Sequence, residues 1–217
     1  MPTPSFTFLH GFLGCPQDWD AITSDFPHPF TSPSLEEIKV TEGSILVGYS
    51  MGGRIALSLA AEAPDKFAAL ILIGANPGIP DEQKPLRRAF EAQWLRVFRT
   101  LPRAKAVELW YAQKPFDNLR TLPAYLEMME RRLLHPTSHE LLSRYSLADQ
   151  PNYFDNLPDL PITYLYGEKD RKYANIAKRL KEKHPRVQIE SIPNASHALH
   201  IEEPELIRNF LSQALFW

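Results

Sequence analysis

Short apolar runs alternate along this chain with stretches in which apolar residues return every three or four positions. Phe6 to Leu9, Ile45 to Val47, Phe67 to Gly74 and Pro161 to Gly167 have the length and near-continuous apolarity of strands covered on both faces, as in a parallel sheet. Val187 to Ile192 reads as one more strand. Helical spacing occupies Pro16 to Phe26, the segment from Arg54 that Pro64 stops, Arg171 to Lys183, and Glu203 to Leu215. The proline-rich stretch from Pro27 to Pro33 is expected to be irregular, and Ser34 to Val40 to form one short helix.

Residues 79–149 differ in character. Amphipathic helical patterns over Asp81 to Arg99, Arg103 to Gln113, Pro123 to Leu134 and Ser138 to Leu147 succeed one another with no strand between them. Strand patterning then resumes, so the block reads as a helical lid inserted into an α/β core made of residues 1–78 and 150–217. The expected fold class is α/β, with a mostly parallel sheet and helices on both faces. Only 40 positions separate His10 from Ser50, which predicts a reduced sheet.

The pattern also marks where chemistry belongs. Gly48-Tyr49-Ser50-Met51-Gly52 fits G-x-S-x-G at a strand-to-helix corner. Such a corner strains its central residue and crowds the flanking positions, which glycine tolerates. Ser50 Oγ would stand clear of the sheet, and the Met51 N–H at the helix start would face a developing oxyanion. His10-Gly11-Phe12-Leu13-Gly14 leaves the first strand as a tight loop, and the Phe12 N–H is the candidate second donor. Ser50, Asp170 and His197 each come just after a strand, in the chain order of the α/β-hydrolase arrangement. His197 would take the hydroxyl proton and Asp170 would hold the imidazole. Glu168 competes with Asp170 and His200 with His197, while Asp155 and Asp159 precede their strand. No spacing matches a metal-ligand set, so neither metal nor cofactor is expected.

Composition narrows the partners. A net charge of −2, from 24 basic and 26 acidic residues, gives no general attraction to nucleic acid or acidic membranes. No apolar run reaches membrane-spanning length, and Met1 to Ser5 lacks the basic start of a signal peptide. With Cys15 as the sole cysteine, a cytoplasmic enzyme is the expectation. Arg54 lies one helical turn beyond Ser50, and Arg87, Arg88 and Arg131 lie on the lid helices. Guanidinium groups grip carboxylates two-pronged, so inward-facing arginines would imply a small polyanionic substrate, and outward-facing ones only a solvated surface.

His10–Gly14, Gly48–Arg54, Asn76-Pro77-Gly78, Gln93-Trp94, Trp110-Tyr111, Gly167–Asp170 and Ser196-His197 together resemble the MenH family of menaquinone-biosynthesis lyases. These are 2-succinyl-6-hydroxy-2,4-cyclohexadiene-1-carboxylate synthases on the α/β-hydrolase fold. The likeness runs from residue 6 to the C-terminus. It implies elimination of pyruvate from an enolpyruvyl ether, with Ser50 activated by His197 as the base and Asp170 orienting the histidine. It implies that Arg54, Arg87 and Arg131 bind substrate carboxylates and that Tyr49, Trp110 and Phe116 line the pocket. Two features depart from the family. Much of the segment between His10 and Ser50 is missing, and the histidine motif reads Ser196-His197-Ala198-Leu199-His200 in place of the usual Gly-His-Asn-Ala-His. The alternative is a small carboxylesterase or thioesterase with Ser50 as covalent nucleophile.

Overall fold

The computed structural model describes residues 5–213. Among them, six strands form one sheet: β1 (Phe6–Leu9), β2 (Phe30–Thr31), β3 (Ile45–Tyr49), β4 (Ala69–Ile73), β5 (Ile162–Gly167) and β6 (Gln188–Ile192). The order is β2-β1-β3-β4-β5-β6 and each pairing is parallel. β1, β3 and nearly all of β4 and β5 are buried, because helices cover them from both sides. Helix α1 (Asp20–Thr23) comes after β1, α2 (Met51–Glu62) joins β3 to β4, and α7 (Arg171–Lys183) joins β5 to β6. Right-handed crossovers put α2 and α7 on one face. α1 lies on the other face, packed against α9 (Pro204–Gln213), which comes after the short α8 (Leu199–Glu202).

The chain leaves β1 outward to β2, then returns to place β3 on β1's other side. The strand order therefore reverses between β1 and β3, and ligands of open α/β sheets bind beyond the carboxyl ends of strands at such a switch point. Register keeps those ends level, with Leu9 opposite Gly48, Gly48 opposite Leu72, Ile73 opposite Leu165 and Gly167 opposite Ile192.

Between β4 and β5 run α3 (Lys84–Thr100), α4 (Arg103–Tyr111), α5 (Ala124–Leu134) and α6 (Leu141–Arg144), with no strand among them. None of the described helices is long and apolar enough to cross a membrane.

Four segments depart from the sequence expectation. Pro16 to Phe26 is not one helix but a 3₁₀ turn, Pro16–Trp19, leading into α1. β2 arises in the proline-rich stretch, cut to two residues at an exposed edge where proline costs no ladder bond. Ser34 to Val40 forms only a turn: the Leu35 and Glu36 carbonyls, which a helix would give to N–H groups four residues on, accept instead from Tyr145 Oη at 3.5 Å and Arg144 Nη1 at 3.4 Å. Helix α6 stops at Arg144 because Glu91 draws Ser146 and Leu147 inward, accepting from Ser146 Oγ at 2.5 Å and from the Leu147 N–H at 3.2 Å. The last helix has its expected end, Leu215, outside the described residues.

Candidate active site

The corner after β3 is strained as its sequence requires. Ser50 has φ 50° and ψ −106°, outside the regions a non-glycine residue prefers. The turn is possible only because its flanks lack side chains. A Cβ on Gly48 would lie 2.5 Å from the Gly52 carbonyl oxygen, and one on Gly52 only 2.2 Å from that of Leu9. Helix α2 thus starts hard against the end of β1, which brings the His10–Gly14 loop over Ser50.

Three loops meet at this rim. His197, after β6, places Nε2 3.2 Å from Ser50 Oγ across 147 positions of sequence. Its Nδ1 lies 3.2 Å from Asp170 Oδ2, but the N–H direction is poorly aligned with that oxygen, and neither atom has another partner among the described residues. Catalytic hydrogen bonds are often imperfect before substrate binds. Asp170 caps α7, accepting the Tyr173 N–H at 3.2 Å. The Tyr173 ring then stacks on His197 at 4.6 Å and 23°, and Phe116 meets the imidazole edge-on at 5.8 Å. The rivals lie elsewhere. Glu168 is exposed, Asp155 pairs with Lys183, and His200 is sealed in the core between Trp19 and Tyr49, neither ring nitrogen having a partner among the described residues. Burial pushes the His200 pKa down to about 3.

Above Ser50 is a small, partly open cavity of about 50 Å³, walled by Phe12, Tyr49, Trp110, Phe116, His197 and Arg132 among others. The N–H groups of Phe12 and Met51 have no acceptor among the described residues, so both are free to bind an oxyanion. The Phe12 ring packs edge-on against Trp110 at 4.8 Å and Phe98 at 5.6 Å, closing the mouth with side chains of α3 and α4.

The arginines divide. Arg54 is buried and faces a second cavity of about 380 Å³, bounded by Ile38, Val40, Arg144, Ser146 and Gln150. Its hydrogen bond goes to neutral Gln150 Oε1 at 3.4 Å. Burial, and then the neighbouring Arg87 charge, push its pKa down to about 10. Arg87 is ion-paired with buried Glu91 at 2.6 Å, and Arg88 with Asp149 at 2.5 Å on the surface. Arg131 pairs with Glu127 at 2.8 Å and stays outside the wall of the Ser50 cavity.

Its neighbour Arg132 holds that place, a residue the sequence did not single out. Arg132 is bound two-pronged by buried Asp18 at 2.6 and 2.7 Å, and its Nε donates to Tyr111 Oη at 2.9 Å. Burial works to raise the Asp18 pKa, but the Arg132 charge and hydrogen bonds hold it below the usual carboxylate range. The one hint in sequence is a carboxylate beside Trp19, within the stretch Pro16 to Phe26 that reads as a helix.

A serine at a strained strand corner, a histidine on it and a carboxylate behind, in this chain order at the carboxyl edge of a parallel sheet, define the class. The chain belongs to the alpha/beta hydrolase family, whose model matches residues 6–209. It is 32% identical over 241 residues to the 2-succinyl-6-hydroxy-2,4-cyclohexadiene-1-carboxylate synthase of Enterobacter sp. (strain 638), covering 98% of this chain and 92% of that one. Within the class, it belongs to the family of these synthases. It is also 31% identical over 246 residues to Protein PHYLLO, chloroplastic, of Arabidopsis thaliana; the match covers 91% of this chain but 14% of the plant protein. Among solved structures, MenH from S. aureus superposes with a TM-score of 0.82 at 21% identity, over 96% of this chain and 91% of that one.

Proposed function

We propose that this protein is a carbon–oxygen lyase that eliminates pyruvate from 2-succinyl-5-enolpyruvyl-6-hydroxy-3-cyclohexene-1-carboxylate. The relatives' name supports the product. Arg54 supports the choice of a lyase over an esterase: a guanidinium buried one helical turn from Ser50, bonded to a neutral amide, gains most from a substrate that brings carboxylates.

The chemistry balances without water. His197 takes the Ser50 proton, and Ser50 Oγ removes the ring proton beside the succinyl carbonyl. The electron pair shifts through the ring double bond, and the ring C–O bond to the enolpyruvyl group breaks. The departing enolpyruvate picks up a proton and ketonises to pyruvate. Charge building on the succinyl oxygen would be met by the Phe12 and Met51 N–H groups. Asp170 would hold the imidazole in the required tautomer. No covalent bond to Ser50 forms on this route, which separates it from ester hydrolysis.

The helices from α3 to α6 act as a lid. A cavity of about 50 Å³ holds one or two waters, whereas small-molecule sites run to roughly 300 Å³ or more, so the lid must shift to admit substrate. Such a shift would join the Ser50 cavity to the one that Arg54 faces. The substrate is thus a small polycarboxylate, with Arg54 first among its contacts and Arg87 and Arg131 beside it. The single thiol, Cys15, is buried and unbridged, which suits the cytoplasm, where we place the reaction. The test is pyruvate release by the purified protein from the enolpyruvyl cyclohexene, with p-nitrophenyl acetate as the control ester. Pyruvate formation at steady state with slow ester turnover supports the lyase; rapid ester turnover without pyruvate supports the esterase.

A further inference from the structure

We propose that Gln150 is a positioning residue that gives the site its preference for anionic substrates: it meets Arg54 with a neutral amide held in one orientation, and so reserves that buried charge for a substrate carboxylate. The inference rests on reading Arg54 as a contact of a polycarboxylate substrate.

Two guanidinium groups and one carboxylate lie close together, Arg54 on α2 and Arg87 and Glu91 on α3. The Glu91 oxygens are already taken. Oε1 accepts from Arg87 Nε at 2.6 Å and from the Leu147 N–H at 3.2 Å, and Oε2 accepts from Ser146 Oγ at 2.5 Å. Arg54 therefore has no anion of its own among the described residues, although it is buried and borders the cavity of about 380 Å³. The carboxylates that line this cavity are Glu62 and Asp149. Asp149 is held by Arg88 at 2.5 Å, and Glu62 is exposed, about two helical turns beyond Arg54 on α2. One positive charge is left over beside the cavity.

Gln150 meets that charge without cancelling it. Its Oε1 accepts from Arg54 Nη1 at 3.4 Å, across 96 positions of sequence, and its Nε2 donates to the Asn76 carbonyl at 3.2 Å. The residue is buried, and its backbone N–H donates to the Ser146 carbonyl at 3.2 Å. The amide cannot turn over. A flip would set Nε2 against the guanidinium and Oε1 against the Asn76 carbonyl. The bond to Asn76 thus keeps an oxygen on Arg54, and an uncharged one.

A carboxylate of nearly the same shape at this position would pair with Arg54 outright. The buried cation would then be satisfied in the free protein, and a substrate carboxylate would have to displace its partner. The amide leaves most of the guanidinium's electrostatic attraction unspent until substrate arrives. It gives up stability for affinity, a trade expected of a binding site rather than of a core.

The test separates charge from shape. Gln150→Glu adds a charge at nearly constant shape, Gln150→Met removes the amide at similar length, and both give up the bond to Asn76. Gln150→Glu should raise KM for the enolpyruvyl cyclohexene about tenfold or more with kcat within roughly threefold, and Gln150→Met should leave both within roughly threefold. The melting temperature of Gln150→Glu should equal or exceed that of Gln150→Met, so the weaker binder is not the less stable variant. A merely structural residue would make affinity follow stability. A wild-type KM in Gln150→Glu, an equal rise in Gln150→Met, or a KM rise that follows a lower melting temperature overturns the proposal. Calorimetric titration with tricarballylate, a small tricarboxylate, needs no turnover. The wild type should bind it about tenfold tighter than Gln150→Glu does, and equal binding overturns the proposal. If the wild type releases no pyruvate yet shows that difference, the lyase reading falls and the role of Gln150 stands.

Discussion

Both oxygens of the Asp18 carboxylate are gripped by the Arg132 guanidinium, at 2.6 and 2.7 Å, with the two side chains sealed from solvent. The pair joins helix α5 to the turn just after the His10–Gly14 loop. Asp18 also accepts the Cys15 N–H at 3.2 Å, so the same carboxylate shapes the loop that offers the Phe12 N–H. A wall cation already matched by a carboxylate adds little attraction for an anionic substrate; the pair instead ties the end of the His10–Gly14 loop to α5.

Breaking that pair from one side leaves a charge buried and alone. Arg132→Met and Asp18→Asn should each cost about 3–5 kcal/mol, whereas Asp18→Leu/Arg132→Met together should cost less than either. Urea unfolding midpoints measure this. Single costs below about 1 kcal/mol would show that the pair contributes little to holding loop and lid together.

Acid stability is governed in part by His200. Burial depresses its folded pKa to about 3, below the unfolded value near 6.5, so between these values the unfolded chain binds the extra proton. Its contribution to stability is full above about pH 6.5 and is lost as pH falls toward 3, by up to about 1.4 kcal/mol per unit. His200→Leu should flatten the decline of unfolding free energy between pH 6.5 and 4.5. An unchanged slope would mean that the imidazole is already protonated in the fold.

Arg54 separates the two enzymatic readings. Arg54→Ala should raise KM for the polycarboxylate about tenfold to a hundredfold, the worth of a charged hydrogen bond, and leave neutral-ester turnover within about threefold. It should not lower the melting temperature, because the lost cation has only an amide partner. Equal loss of both activities would make Arg54 a structural residue.

The elbow was legible because three independent local signals coincide at Gly48–Gly52: an apolar run, glycines on both sides of a serine, and helical spacing afterwards. The placement of Asp170 and His197 was legible for a similar reason, since each comes after an apolar run of strand length. The features that stayed hidden depend on partners far apart in the chain. Asp18 and Arg132 are 114 positions apart. Periodicity reports which residues are covered, not by which neighbours. The choice between Arg131 and Arg132 shows the limit. Adjacent residues on a helix point about 100° apart, and the docking of α5 decides which of them faces the cavity. The helix expected over Ser34 to Val40 failed on the same ground, since the Leu35 and Glu36 carbonyls accept from Tyr145 and Arg144, 110 and 108 positions away.

The central claim is that Ser50 acts as a base and forms no acyl bond. The most direct measurement is pyruvate release from substrate deuterated at the ring carbon beside the succinyl carbonyl, with the protein's intact mass read during turnover. Slower release from the deuterated substrate, an unmodified protein mass, and loss of more than nine-tenths of the rate in Ser50→Ala are the predicted results. Equal rates for the two substrates together with a mass increase on Ser50 would contradict the account.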